Sequence, residues 1–233
     1  MKLFQLAYAC RVYMVLTDSD ADYHAFLDKT GDRLDFTDST HMNALLEWLR
    51  KWGCRQFAVD YHDLAVKSIR KWAEQWNSKL PDVSATLELL SAKEIKGIGN
   101  AYAALSKAVA SNRARDGGLN NVEVGPTGAA KILFAARPRA CPPWDGSIRG
   151  SKFDSSSDSY CEYLDHVKEL VEQLCSEAAG FGIPREQIPL EIGQPRSTLL
   201  KLVDEYNWVT VTKDSLPLEP HDVARWHTWS RQP

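Results

Sequence analysis

The sequence predicts an all-α fold, with two helical subdomains flanking a cleft. Three observations carry this reading: several long segments repeat their apolar residues at helical spacing, glycine and proline punctuate the chain between them, and no internal repeat is visible. The central subdomain spans 41–150, and the second is built from 1–40 together with 151–233. A chain of 233 residues can bury a sizeable core, as one domain or as two closely packed subdomains.

Taken in order, residues 3–16 are an apolar segment. Arg11 interrupts the run and no small-residue cleavage site follows, so it reads as a folded segment and not a signal peptide. No apolar run approaches the ~20 residues that span a bilayer. An acidic stretch follows with Asp18, Asp20, Asp22, Asp28, Asp32, Asp35 and Asp38. The acids do not fit a calcium loop, and a solvated, turn-rich surface is expected. Residues 41–52 predict an amphipathic helix carrying Leu45, Leu46, Trp48, Leu49 and Trp52, ended by Gly53. A connector at 54–57 leads to a helix over 60–77, with Asp60 as its cap.

Pro81 breaks the chain. A short helix is expected over 84–92, then a helix opening at Glu94 and running to about Asn112. Val124-Gly125-Pro126 turns into a small-residue helix, Thr127 to Ala136, and proline fits that first turn because its missing N–H is no loss there. Arg137 to Pro143 is a proline-rich connector that cannot be helix, and Asp145 is placed to cap a new segment. Residues 151–159 are a polar loop. Leu164, Val167, Leu170, Val171 and Leu174 share one face of a helix from Tyr160 to Ala179, ended by Gly180. Shorter helices follow at Pro184, over Ser197 to Tyr206, and over 221–230.

Hydrophobic content of 44% and charged content of 25% place the chain among ordinary globular proteins. The five cysteines (10, 54, 141, 161 and 175) are widely spaced with no CxxC, which argues against a zinc site or disulfide framework. The six histidines show no metal spacing, so neither metal nor cofactor is expected. Gly97-Ile98-Gly99 is no dinucleotide fingerprint, because no strand and no third glycine frame it. A reducing, cytoplasmic setting is the simplest home. The net charge of −3 speaks mildly against nucleic acid, yet Lys107 to Lys152 holds eight basic and three acidic residues. Phosphate binding needs local positive charge and not a basic total.

Residues 122–149, VEVGPTGAAKILFAARPRACPPWDGSIR, join turn, helix, proline connector and aspartate in one run. This run resembles the helix-hairpin-helix DNA glycosylases, the superfamily of endonuclease III, MutY and AlkA. Val124 to Leu133 covers the hairpin, and Trp144-Asp145-Gly146-Ser147-Ile148-Arg149 covers the segment with the catalytic aspartate, 20 residues after Gly125. Ile98-Gly99 and the helix after it resemble a second family landmark. Two departures stand out: Glu123 replaces the first hairpin glycine, and 117–122 leaves room for only about one turn of the first hairpin helix. No cysteine follows Cys175, so the C-terminal iron–sulfur loop of many members is not expected here.

The resemblance implies a helix-hairpin-helix motif and a DNA glycosylase acting on a damaged or modified base in double-stranded DNA. Asp145 would be the catalytic carboxylate, with Trp144 and Tyr102 at the base pocket. Val124, Gly125, Thr127, Gly128, Lys131, Arg137, Arg139, Arg149 and Lys152 would contact DNA. Arg55 or Gln56 would wedge into the duplex. In bifunctional members a hairpin lysine attacks the sugar. Counting back from Asp145 by that family interval lands on Thr127 and Pro126, neither an amine, so a monofunctional enzyme leaving an abasic site is expected. A monomer, cytoplasmic or nucleoid-associated, is expected, with housekeeping repair and defence against modified phage DNA both open. The rival readings are a non-catalytic helix-hairpin-helix DNA-binding protein and a helical interaction protein with no nucleic-acid role.

Overall fold

The computed structural model describes residues 1–115, 118–150, 152–215 and 219–229. Among them the chain is mostly helical with one small antiparallel sheet. The elements are α1 (Leu3–Leu16), α2 (Ser19–Thr30), α3 (Ser39–Lys51), α4 (His62–Trp76), α5 (Ala92–Ser106), β1 (Val109–Arg115), β2 (Gly118–Glu123) and α6 (Gly125–Ala136). They continue with α7 (Gly146–Arg149), α8 (Ser157–Gly180), α9 (Ile188–Glu191), α10 (Leu199–Asn207) and α11 (Pro220–Trp229). The expected last helix is thus present over its described part, and residue 230 lies outside the described residues. No helix among the described residues is long and apolar enough to cross a membrane.

One contiguous core runs from Leu6 on α1 to Val203 on α10. Its centre is α3, where Met42, Leu45, Leu46, Trp48 and Leu49 are fully buried. Asp38 caps α3 by accepting from the backbone N–H groups of Thr40 and His41. α2 packs on α3, α5 packs on both α6 and α8, and α1 lies against α10. Gly99 explains the α5–α8 contact: a Cβ there would collide with the Cys161 sulfur and press on the Ser157 carbonyl at 3.2 Å. The glycine that resembled a family landmark thus has a packing reason of its own.

Five expectations are corrected. The acidic stretch is not turn-rich surface, because α2 occupies most of it. Asp20 and Asp22 fall in its first turn, where negative charge suits the helix dipole, and Tyr23, Phe26, Leu27 and Thr30 bury one face. The sequence hid this period behind the aspartates. The helix opening near Glu94 ends at Ser106 and not near Asn112. Residues 118–122 form no hairpin helix but most of strand β2, paired antiparallel with β1, while Gly117 lies outside the described residues. Asn120, Asn121 and Val122 are poor helix formers, and pairing with Arg113, Asn112 and Ser111 satisfies their backbone. Finally, 84–92 holds only a short 3-10 turn, Leu87–Leu89, and Asp60 sits inside another, Val59–Tyr61, instead of capping α4.

Candidate active site

Asp145 is positioned by the connector before it. Thr198 Oγ1 donates to the Pro138 carbonyl, Leu87 N–H to that of Arg139, Tyr160 hydroxyl to that of Pro142 and Tyr163 hydroxyl to that of Pro143. A proline-rich strand cannot form a ladder of its own, so these bonds from α8, α10 and the 87–89 turn fix its path. Trp144 is fully buried against Tyr160 and Tyr163, with ring centroids 5.1 Å away in both cases. Asp145 then emerges half-buried, in extended conformation. Its Oδ1 accepts from the Ile148 N–H at 2.9 Å and caps α7, as the sequence predicts.

The carboxylate lines a cavity of about 250 Å³ shared with Tyr13, Ser19, Lys51, Trp52, Gly53, Lys131, Trp144, Asp204 and Trp208. The walls come from α1, the entry to α2, the end of α3, α6, the connector, and α10 with the residue after it. The cavity falls just below the ~300–1,000 Å³ typical of drug-sized ligands and suits a single heteroaromatic ring system.

Each wall is held in place. Gly53, with φ +83°, ends α3 in the left-handed conformation that glycine tolerates best. Trp52, just before it, is anchored by its Nε1, which donates to the Ser19 carbonyl at 2.9 Å. Lys131 Nζ donates to the Trp52 carbonyl at 2.5 Å and lies 5.4 Å from the Trp52 ring centre. Trp208 opens a π-helical turn, Trp208–Thr212, that continues α10, an irregularity frequent at functional sites. Asp204 is half-buried on α10. Burial pushes its carboxyl up to about 7; Lys201 and Lys131 pull it back, and Asp145 and Glu205 add to the rise.

Behind this wall lies a buried charge network. Lys201 is fully buried, with Nζ 2.5 Å from Glu205 Oε1 and 3.4 Å from Asp20 Oδ1. Gln194 Nε2 donates to the other Glu205 oxygen at 2.7 Å. The ammonium also sits 4.6 Å from the Tyr13 ring centre and 5.5 Å from that of Trp52. Burial draws the Lys201 ammonium down, but Glu205, Tyr13, Asp204 and Asp20 outweigh it and hold it charged.

The structure sorts the other residues singled out from the sequence. Trp144, Asp145 and Lys131 come together in the cavity. Arg149 joins the hairpin end to the aspartate segment: its guanidinium lies 5.4 Å from the Trp144 ring centre and Nη1 is 3.5 Å from Thr127 Oγ1. Gly125 has φ +68° and opens α6, whose first turn has no side-chain cap and no acid. Lys152 and Arg55 are exposed.

Five residues take other places. Arg137 does not face solvent: it is 8% exposed and donates to the carbonyls of Pro81, Ala136 and Asn77, clamping the end of α6. Arg139 is exposed but beyond the far end of α6, ~18 Å from the turn by helix rise, beside Arg185 and Glu186. Val124 is fully buried, its N–H donates to the Ala108 carbonyl and its own carbonyl accepts from Gln56 Nε2. Gln56 thereby braces the turn. Tyr102 is fully buried, stacked on Tyr160 at 4.3 Å with its hydroxyl donating to the Ser155 carbonyl, so it supports the pocket from behind.

Gly128 is also buried, and a Cβ there would meet Gln56 Nε2 at 2.7 Å and Val124 Cγ1 at 3.0 Å. Gly128→Ala should therefore push α6 off the 54–57 loop and cost about 1–3 kcal/mol. Thermal melting measures it, and an unchanged melting temperature would show that the loop yields freely.

Sequence reasoning missed Tyr13, Trp52, Asp204 and Trp208 as pocket residues. The one legible signal was charge: Lys201, Asp204 and Glu205 interrupt the otherwise apolar LLKLVDEY. A larger open groove of about 880 Å³ lies between Arg33, His41, Arg70 and Asn77. Its Arg70 guanidinium is already committed to the carbonyls of Phe36 and Thr37 and to Ser39 Oγ, which leaves it less suited to chemistry. No family model, no curated protein and no solved structure matches the chain.

Proposed function

We propose that the chain is a monofunctional DNA glycosylase, related to the helix-hairpin-helix glycosylases and acting as a monomer on double-stranded DNA in the cytoplasm or nucleoid. One observation carries the reading. A half-buried carboxylate, Asp145, stands at the wall of an aromatic-lined cavity of single-base size, beside an ammonium, Lys131. Enzymes that act on a base draw it out of the stack into such a pocket. Trp208, half-buried at the cavity wall, stacks on the base, and Asp145 stabilises the positive charge that grows on the sugar as the base departs. Water then attacks the sugar carbon, with Asp145 accepting its proton.

The start of α6 supports the DNA contact. The backbone N–H groups of Gly125 and Thr127 lie in the first turn of a twelve-residue helix without a side-chain cap, a fit for a phosphate. Arg149 beside Thr127 and the exposed Lys152 add charge there. The paired strands β1 and β2 lead into this turn in place of a first hairpin helix.

Incubation with duplexes carrying single uracil, hypoxanthine, 7-methylguanine or 5-hydroxymethyluracil residues tests the reading. Base release should leave an intact strand that breaks only with alkali. Lys131 lies in the cavity, yet its Nζ is bound to the Trp52 carbonyl and over the Trp52 ring, contacts that suit an ammonium with no lone pair for attack. Borohydride during turnover should therefore trap no protein–DNA adduct. A trapped adduct that disappears in Lys131→Ala would make the enzyme bifunctional, and absence of base release from every duplex would overturn the glycosylase reading.

A further inference from the structure

We infer that the excised base is neutral, and that Asp204 supplies the proton the base takes away as it leaves. This rests on the glycosylase reading and assigns a second carboxylate to it. Asp145 and Asp204 reach the one cavity from different parts of the chain, the first from the start of α7 and the second from α10. Their surroundings push them toward different roles. Asp145 is tied down by a backbone donor, the Ile148 N–H, which binds its Oδ1 at 2.9 Å. Asp204 lies mid-helix and caps nothing.

Both carboxylates line the one cavity, and the charge of Asp145 raises the cost of ionising Asp204. The groups facing Asp204 are Lys201 and Glu205 of its own helix, Lys131 of α6 and Asp145. Tyr13 of α1 and Tyr163 of α8 also feel its charge. Burial lifts the Asp204 carboxyl to about 7, so a large share is protonated at neutral pH. Of the other proton carriers lining the cavity, Lys131 is committed to the Trp52 carbonyl, Lys51 to Asp22, and burial raises the Tyr13 hydroxyl further from neutrality, which leaves Asp204 as the acid of this cavity.

The balance is that of a hydrolysis. The glycosidic C–N bond breaks and its electron pair goes to the base. Asp204 O–H gives its proton to a ring nitrogen or carbonyl oxygen of the base and becomes a carboxylate. Water adds its oxygen to the sugar carbon, and its proton passes to Asp145. Solvent exchange then restores both groups. A base that is already cationic, such as 7-methylguanine, leaves without a proton and gains nothing from Asp204.

The test compares the wild-type protein with Asp204→Asn on duplexes carrying uracil, hypoxanthine, 5-hydroxymethyluracil or 7-methylguanine, across pH 5 to 9. Wild-type excision of a neutral base should fall about tenfold per pH unit above roughly pH 7. Asp204→Asn should lose on the order of 10²-fold or more on that base, lose the alkaline fall, and keep DNA affinity. Asp204→Glu should recover part of the rate. A flat alkaline limb in the wild-type protein, unchanged kinetics in Asp204→Asn, or excision of 7-methylguanine alone would overturn the assignment to Asp204 while leaving the glycosylase reading intact. No excision of any base by the wild-type protein would instead overturn the glycosylase reading, and this inference with it.

Discussion

Asp145→Asn should lower base excision about 10²-fold or more while leaving the fold and DNA binding in place. The variant is unusually clean. Asp145 has a structural duty, since its Oδ1 accepts the Ile148 N–H at the start of α7. Asparagine caps a helix about as well as aspartate, so α7 and the path of the connector should survive. What asparagine lacks is the negative charge. At a half-buried position that charge stabilises a cationic sugar far better than a neutral amide can. The loss should therefore fall on the single-turnover rate and not on DNA affinity. Single-turnover excision and fluorescence-anisotropy binding measure the two separately. Near-wild-type excision would return Asp145 to a plain helix cap. Weakened DNA binding with unchanged chemistry would place it at the phosphate and not at the sugar.

How much of this site the sequence disclosed follows from distance along the chain. Asp145, Trp144 and Lys131 lie within one short run, and local rules were enough to find them: a proline connector, a cap position, a helix after a turn. The helices with a clear apolar period, α3, α4 and α8, were legible for the same reason. Trp52, Tyr13, Asp204 and Trp208 were not legible, because nothing local marks them as neighbours. They meet only when α1 packs on α10 and the end of α3 approaches α6.

The basic residues show the opposite failure. Arg137 looked like a phosphate ligand by its sign and position, yet a guanidinium has five donors, and three backbone carbonyls at the end of α6 claim them. Sequence charge counts cannot tell a solvated cation from a buried clamp. The first hairpin helix failed for a different reason: an asparagine-rich run with weak helix propensity was given to a helix by analogy, and β pairing won.

Lys201→Met should be the most destabilising single change near the site, by about 3–5 kcal/mol, because it strands buried charge. Lys201 is fully buried, as is Glu205, and the pair is joined at 2.5 Å. Gln194 completes Glu205 on its second oxygen, itself held by the Ser197 hydroxyl at 2.9 Å. Without the ammonium, Glu205 and Asp20 face each other and the desolvation cost is left without its compensating attraction. Methionine fills nearly the same space, so the loss measures charge and not volume. The double variant Lys201→Met with Glu205→Gln should recover part of the stability, since it removes the stranded carboxylate while the amide keeps hydrogen-bonding capacity. Urea midpoints of the wild-type protein and the three variants close the cycle. The effect should also reach the cavity, because the same ammonium lies over the rings of Tyr13 and Trp52 that form its wall. Excision by Lys201→Met should therefore fall even at temperatures where the variant is fully folded, and a folded Lys201→Met with wild-type excision would separate the buried network from the pocket it underlies.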